Sequence, residues 1–112
     1  MSSAVGFIGI VDSKNKIPIR LTKERWMHIT TAHPEIEIND SLEGLKVISE
    51  PDVIFEGDSD ELLAVKKKAR KKIWFVVVYK EISRKDGFIL TAYITTDERW
   101  LFKRKEVWNK TL

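Results

Sequence analysis

The segment from residue 52 to 96 constrains the fold most, because almost all of it has the pattern of β-strands. Its apolar residues either alternate with polar ones or form short continuous runs, and both patterns are typical of strands. Short polar stretches separate the runs and predict turns. The four runs are DVIFEG, ELLAVKKK, KIWFVVVYKEI and GFILTAYITT. We therefore expect a four-stranded antiparallel meander.

The residues before this meander predict a β-hairpin and a first helix. AVGFIGIVD and IPIRLT have strand patterns and lie on either side of the polar turn SKNK. Thr22 has the side chain of a helix N-cap, and Pro34 disfavours helical geometry at His33. The first helix therefore runs from about residue 23 to 33.

A second helix is predicted to begin near Asn39 or Asp40, either of which is a suitable N-cap, and to stop at Pro51. Helices that are segregated from a run of strands are typical of α+β proteins. The expected architecture is one α+β domain spanning residues 1–112. It consists of an N-terminal β-hairpin and two helices packed on a four-stranded antiparallel sheet.

The tail from Asp97 to Leu112 is amphipathic and predicts either an extension of the sheet or a short helix. Its apolar residues lie among five cations. These apolar residues either cover the core or form a surface on which a protein inhibitor docks. Trp100 in this tail and Trp74 in the third run are core residues or platforms on which RNA bases stack. The sequence leaves both alternatives open.

The composition is that of a globular protein. Apolar residues make up 43% of the chain and charged residues 33%, which is too apolar for a disordered protein. The absence of cysteine excludes disulfides, thiolate metal sites and a cysteine nucleophile. The N-terminus lacks the pattern of a signal peptide, and no run approaches the ~18 apolar residues of a membrane span. We expect a cytoplasmic protein with no membrane partner.

The net charge of +3 is divided unevenly along the chain. Residues 1–63 carry six Lys or Arg and twelve Asp or Glu, a net charge of −6. Residues 64–112 carry fourteen and five, a net charge of +9. This asymmetry favours an anionic partner such as RNA, unless the fold interleaves the two halves and cancels the field. The densest cations form either a solvated loop or a contact to the RNA backbone: Lys66, Lys67, Lys68, Arg70, Lys71 and Lys72.

The two histidines, His28 and His33, lie five positions apart on the first predicted helix. Each helical residue advances roughly 100°, so the two rings point about 140° apart and cannot grip one metal ion. His33 falls within about 60° of Trp26, on the side that packs against the sheet, whereas His28 points the other way. His33 is therefore either a hydrogen-bonded structural residue or a catalyst.

The predicted strands carry polar residues that an inward histidine could meet. Strand alternation puts Lys80 on the same face as Trp74, and it puts Thr91 and Tyr93 together on one face. Threonine and tyrosine are also good strand formers, and a lysine often leaves a sheet at its edge. Periodicity alone does not decide between a site and ordinary strand residues.

Four pieces of the sequence, in this order, resemble a known family. RLTKERWMHITTAHPE, LKVISEPDVIFEG, KIWFVVVYK and GFILTAY resemble the phage-associated members of the barnase, EndoU, colicin and RelE-like nuclease group. The match covers about residues 20 to 95. The group comprises small metal-independent ribonucleases, so the resemblance implies a RelE- or barnase-like fold and a cytoplasmic, toxin-type endoribonuclease without a cofactor. It also implies an antitoxin or immunity protein as partner.

The resemblance also implies an active site built from His33, Lys80, Thr91 and Tyr93. In cleavage through the 2′-hydroxyl, His33 would act as base or acid, Lys80 would hold the developing charge, and the two hydroxyls would donate to phosphate oxygens. His28 belongs to the motif without a catalytic role. Related toxins often place an arginine on a central strand near the phosphate, and this run has Lys80 instead.

Two other functions fit the same sequence. The first is a catalytically inactive module that binds RNA or a protein partner on the same fold. The second is a metal-dependent nuclease that uses the acids DSDE at residues 58 to 61. We disfavour the metal-dependent nuclease, because this acidic cluster lies in a predicted turn, where carboxylates usually face solvent. No metal ligand is therefore assigned.

Overall fold

The computed structural model describes residues 6–68 and 72–111, which form a mixed seven-stranded sheet and three α-helices. The strands are β1 (Phe7–Asp12), β2 (Pro18–Thr22), β3 (Val53–Glu56), β4 (Leu62–Lys67), β5 (Trp74–Ser83), β6 (Asp86–Thr95) and β7 (Glu106–Asn109). The helices are α1 (Lys23–Ala32), α2 (Ser41–Ser49) and α3 (Glu98–Leu101). A 3₁₀ turn, Ile38–Asp40, precedes α2.

The sheet has the strand order β1-β2-β6-β5-β4-β3-β7. All neighbours are antiparallel except β2 and β6, which are parallel. The class is α+β, but the prediction of two helices on a four-stranded antiparallel sheet is wrong. The hairpin β1–β2 joins the sheet beside β6, β7 adds a strand beside β3, and α3 is a third helix.

Each added strand completes an edge that the meander would otherwise leave open. β2 alternates the fully buried Ile19 and Leu21 with Arg20, so its apolar side extends the core of the sheet. A Cβ atom at Gly87 would lie 2.6 Å from the backbone oxygen of Lys80 and 2.5 Å from Ile19 Cδ1, so the position of β6 between β5 and β2 requires a glycine there. At the opposite edge, β7 pairs with β3, where Ile54 faces Trp108. Local patterning gives no information about such long-range pairing.

Both helix boundaries follow local chemistry. The Thr22 hydroxyl caps α1 by accepting a hydrogen bond from the N–H of Arg25 at 3.1 Å. α1 ends before His33, whose N–H donates to the carbonyl of Ile29 at 2.8 Å, and Pro34 prevents continuation. Within the described ranges, no helix has the length and apolar composition that a membrane span needs.

The sheet has two faces of different character. The covered face packs against α1 and α2, and its core residues include Trp26, Ile29, Leu45, Val47, Ile48, Phe75, Val77 and Tyr79. The open face packs its centre under Leu101 of α3, with Val53, Phe55, Leu63, Val65, Val76 and Val78. Register and alternation put six half-exposed residues around this centre: Arg20, Trp74, Lys80, Phe88, Thr91 and Tyr93.

Candidate functional site

α1 runs beside the edge of β6 that β2 leaves unpaired. β2 pairs with only two residues of β6 and then turns into α1. Arg25 at the start of α1 donates to the carbonyl of Leu90 at 3.5 Å. Just beyond its end, the carboxylate of Glu35 accepts a hydrogen bond from the N–H of Ile94 at 3.3 Å. The Glu35 contact holds the end of the helix against the strand, where its side chains reach around to the open face.

His33 lies at this helix end, with its side chain one-third exposed. Its ring centroid lies 5.9 Å from that of Tyr93 on the open face. The Nδ1 atom is 3.4 Å from the Glu35 carboxylate that is itself bonded to β6. This carboxylate contacts one nitrogen of the ring and leaves Nε2 as the nitrogen that can exchange a proton with a ligand.

Tyr93 belongs to an aromatic and cationic cluster that also contains residues of the tail. Its ring lies 6.2 Å from that of Trp100, and the guanidinium of Arg104 lies 4.6 Å from the Trp100 ring centre. Burial raises the pKa of Tyr93 above its usual value, although the charge of Arg104 opposes this shift. The phenol therefore remains a hydrogen-bond donor throughout the neutral range. We call His33, Glu35, Tyr93, Trp100 and Arg104 the His33–Tyr93 site.

Arg104 brings a permanent positive charge to this site. Its guanidinium contacts both carboxylate oxygens of Asp58, at 3.0 and 3.4 Å, and the carbonyl of Glu56 at 3.4 Å. The Asp58 side chain is 85% exposed, so water competes for this ion pair and weakens it. The Nε donor of Arg104 is buried and makes no hydrogen bond to the described residues. The Arg104 side chain is only 17% exposed, so an anion would reach the terminal NH groups by displacing the exposed Asp58 carboxylate and would not reach Nε.

Thr91 and Lys80 lie on the same face as Tyr93 but at different distances from it. Thr91 pairs with Val78, one alternation step along the strand from Tyr93, which pairs with Val76. Lys80 lies four residues beyond Val76, a distance of about 13 Å along the strand. The structure thus brings His33 and Tyr93 together, with Thr91 next to them and Lys80 apart from them. The catalytic roles of these four residues stay a prediction.

The basic run is divided between the two faces. Lys66 and Lys68 project on the covered side, where Lys66 lies 3.8 Å from Asp52 and Lys68 lies 3.5 Å from Glu43. In the described part of the chain, every ion pair of a Lys or Arg with an Asp or Glu joins the acidic half to the basic half. The fold therefore interleaves the two halves and cancels part of the field at these two lysines.

The other lysines of the run that the structure describes are not paired in this way. Lys67 lies on the open face with its ammonium 6.0 Å from the ring centre of Trp74, and Lys72 is exposed. Arg70 and Lys71 fall outside the described residues. Contact of this run with RNA remains a prediction, and Lys67 is the member on the face that carries the His33–Tyr93 site.

His28 and the acidic turn at residues 58 to 61 are the two places that the sequence analysis considered for a metal ion. His28 lies on the exposed side of α1. In the turn after β3, Glu61 accepts hydrogen bonds from the N–H groups of Asp58 and Ser59, and backbone hydrogen bonds, its own first, lower the pKa of Glu61. Across residues 6–68 and 72–111, no three His, Asp or Glu side chains lie close enough together to hold a metal ion.

Sequence reasoning missed two members of the site. Glu35 stands in the HPE motif, but its contact with the edge of β6 depends on where that edge is left open. Arg104 lies in a run of tail cations with no distinguishing local pattern, and the folding of α3 onto the open face brings it to Tyr93. The signal for Arg104 was the aromatic and basic composition of the tail, which does not indicate a particular residue.

Comparison with known proteins adds no relative from which a function could be transferred. No protein-family model, no curated protein and no solved structure matches this chain. The resemblance to the barnase, EndoU, colicin and RelE-like group therefore stays an expectation from the sequence, and the function must be argued from the site itself.

Proposed function

We propose that this chain is an endoribonuclease that cleaves single-stranded RNA at the His33–Tyr93 site by attack of the 2′-hydroxyl. The observation that carries the proposal is the 5.9 Å separation of the His33 and Tyr93 rings on a half-exposed face. Arg104 stands beside them as a permanent cation. An imidazole, a phenol and a guanidinium supply the base, the hydrogen-bond donor and the positive charge that this reaction needs. The reaction therefore does not require a metal ion.

The proposed reaction forms a bond from the 2′ oxygen to phosphorus and breaks the bond from phosphorus to the 5′ oxygen. His33 Nε2 takes the proton of the 2′-hydroxyl, and Glu35 stabilises the imidazolium that results. Arg104 and the Tyr93 O–H stabilise the negative charge on the phosphorane oxygens. Solvent water, which reaches the half-exposed face, gives a proton to the leaving 5′ oxygen, and the hydroxide that remains takes the proton from His33 and restores the neutral imidazole. The products end in a 2′,3′-cyclic phosphate and a 5′-hydroxyl.

The remaining residues of the proposed site bind the substrate. Thr91 is one alternation step from Tyr93 and is close enough to donate to a phosphate oxygen next to the reacting one. Trp100 is 44% exposed and offers a flat surface on which a base can stack. A duplex cannot present its bases to such a surface, and we therefore propose a single-stranded substrate.

The proposal is tested by incubating the purified protein with a defined single-stranded RNA in excess EDTA. We expect cleavage with 2′,3′-cyclic phosphate ends, and no cleavage where a 2′-deoxy nucleotide replaces the attacking one. His33→Ala, purified in parallel, controls for contaminating ribonuclease. Products with other ends, or activity that disappears in EDTA, would overturn the proposed mechanism. RNA binding without cleavage would instead favour the inactive RNA-binding module.

We further propose that the enzyme acts in the cytoplasm as a toxin-type ribonuclease that an antitoxin or immunity protein restrains. The first support is the resemblance in sequence. The second is that the proposed site contacts RNA by stacking and through phosphates, and such contacts discriminate weakly among base sequences. Such an activity needs restraint in the cell that makes it. Expression of the wild-type chain should arrest growth, and expression of His33→Ala should not. Equal growth of both strains at equal protein levels would contradict the toxin proposal.

A further inference from the structure

A pocket lies on the open face, at the other end of the unpaired edge of β6 from the His33–Tyr93 site. It forms where β2 separates from β6 after the paired residues Arg20 and Phe88. Its volume is about 250 Å³. The residues that line it come from β2, β6 and the start of α1: Arg20, Thr22, Arg25, Phe88 and Ile89. We call it the Arg20–Arg25 pocket.

The chemistry of this pocket matches one nucleotide. The guanidinium of Arg20 lies 5.6 Å from the ring centre of Phe88 and forms an ion pair with Asp86. Arg25 is exposed, and its side chain makes one long bond to the carbonyl of Leu90 at 3.5 Å. Among the described residues no carboxylate lies within ion-pair distance of Arg25, so most of its donors remain available to a phosphate. Phe88 is half-exposed, and a base can pack against the part of its ring that the Arg20 guanidinium does not cover.

The pocket and the His33–Tyr93 site lie in one line along β6. Arg25 contacts this strand at Leu90 and Glu35 contacts it at Ile94, four residues or about 13 Å farther along. Thr91 lies on the open face between these two points. Lys80 pairs with Phe88 and so adds a half-exposed cation at the level of the pocket. A single nucleotide cannot span this distance, but an extended strand of a few nucleotides can.

We infer that the Arg20–Arg25 pocket binds a second nucleotide of the RNA strand that is cleaved at the His33–Tyr93 site. The inference rests on the proposed function and deepens it. Arg25 and Lys80 hold the phosphate of the remote nucleotide, and its base packs against Phe88. The preferred substrate is then a single strand longer than a dinucleotide, with its backbone along β6.

Arg25→Gln tests this inference, because the side chain is exposed and its loss leaves the fold intact. Lys46→Gln, which removes one exposed charge from α2, is the matched control. We expect Arg25→Gln to lower kcat/KM for a decanucleotide about tenfold, which is the usual effect of losing one hydrogen bond to a charged group. Cleavage of a dinucleoside monophosphate, which is too short to reach the pocket, should stay unchanged. Its affinity for a non-cleavable, 2′-deoxy decanucleotide should also depend less on salt, with the slope reduced by roughly 0.7.

The two measurements separate the failure of this inference from the failure of the proposed function. If Arg25→Gln matches Lys46→Gln on the decanucleotide, or lowers dinucleotide cleavage equally, the pocket inference is overturned while a ribonuclease stands. If the wild-type protein cleaves nothing but its binding of the non-cleavable strand depends on Arg25, the pocket inference holds and the proposed ribonuclease activity fails.

Discussion

The two faces of the sheet are built from the same strands but have opposite character. Along β5, Phe75, Val77 and Tyr79 point to the covered face, and each is at most 1% exposed. On the open face, Trp74 at the start of the same strand and Lys80 in its second half are half-exposed. Packing accounts for the residue types on the covered face. It does not account for an imidazole, a phenol and a guanidinium that meet at the open face.

Replacing His33 by alanine should give the largest change, and it should be a change in activity alone. General acid-base catalysis contributes about 10²- to 10⁴-fold, so cleavage of RNA should fall by that factor. The thermal midpoint should stay unchanged, because the side chain is one-third exposed and its contacts lie outside the core. His28→Ala, on the exposed side of α1, is the control and should cleave RNA at the wild-type rate. Equal rates for the two variants would remove His33 from the mechanism.

Replacing Phe75 by alanine should lower the stability of the fold, whereas His33→Ala should lower only the activity. Phe75 is 1% exposed in the core under α2, so its truncation should lower the free energy of unfolding by about 3 to 5 kcal/mol. Trp100→Ala, on the open face, should cost far less stability, since the indole is 44% exposed, but it should weaken RNA binding. Chemical denaturation measures both variants. Similar stability losses would mean that Trp100 is a core residue and not an exposed surface for stacking.

The chain contains two tyrosines, and each face carries one of them. Burial, and then the nearby Glu81 charge, raises the pKa of Tyr79 strongly, whereas the charge of Arg104 opposes the rise at Tyr93. Both folded-state pKa values exceed the unfolded value of about 10. The stability that the tyrosines contribute is therefore complete below about pH 10, and it is lost as the pH rises above that value. An ultraviolet titration should show Tyr93 ionising first. Tyr93→Phe should remove that first step, and retention of the step would contradict this order.

Asp52→Asn should give the smallest effect and tests the ion pairs that join the two halves of the chain. Burial raises the pKa of Asp52, but hydrogen bonds from Lys110 and from the N–H of Lys67, with the charge of Lys66, outweigh it and lower the pKa. The folded-state pKa is therefore below the unfolded value, and the contribution is present at neutral pH and lost as the pH falls through the acidic range. We expect a cost of about 1 kcal/mol at neutral pH. Denaturation at acidic pH should no longer distinguish the variant from wild type.

The sequence predicted the parts of the fold that depend on local patterns. The alternation in residues 52 to 96 predicted β3, β4, β5 and β6, and it correctly put Thr91 and Tyr93 on one face. The N-cap Thr22 and the helix-stopping Pro34 predicted where α1 begins and ends. The sequence did not predict the seven-stranded sheet. The pairing of β2 with β6 and of β7 with β3 depends on contacts between distant segments, which local patterns do not indicate.

The candidate site was predictable to the same extent. His33 and Tyr93 lie together, as the resemblance implied, whereas periodicity alone put His33 on the inward side of its helix and Tyr93 beside Thr91 without predicting that the two rings meet. The distance of Lys80 from them depends on the register of β5 against β6, which includes an irregularity between Val78 and Tyr79. Arg104 reaches the site through the folding of the tail, for which the local sequence has no signal.

The most direct test of the central claim, that RNA binds on the open face at His33, is to observe the two histidine rings separately. NMR of the imidazole groups, recorded while a non-cleavable 2′-deoxy decanucleotide is added, reports on both rings in one experiment. The account predicts that the resonances of His33 shift in proportion to the bound decanucleotide while those of His28 do not. Binding that shifts only His28, or that leaves His33 unchanged at saturation, would contradict it.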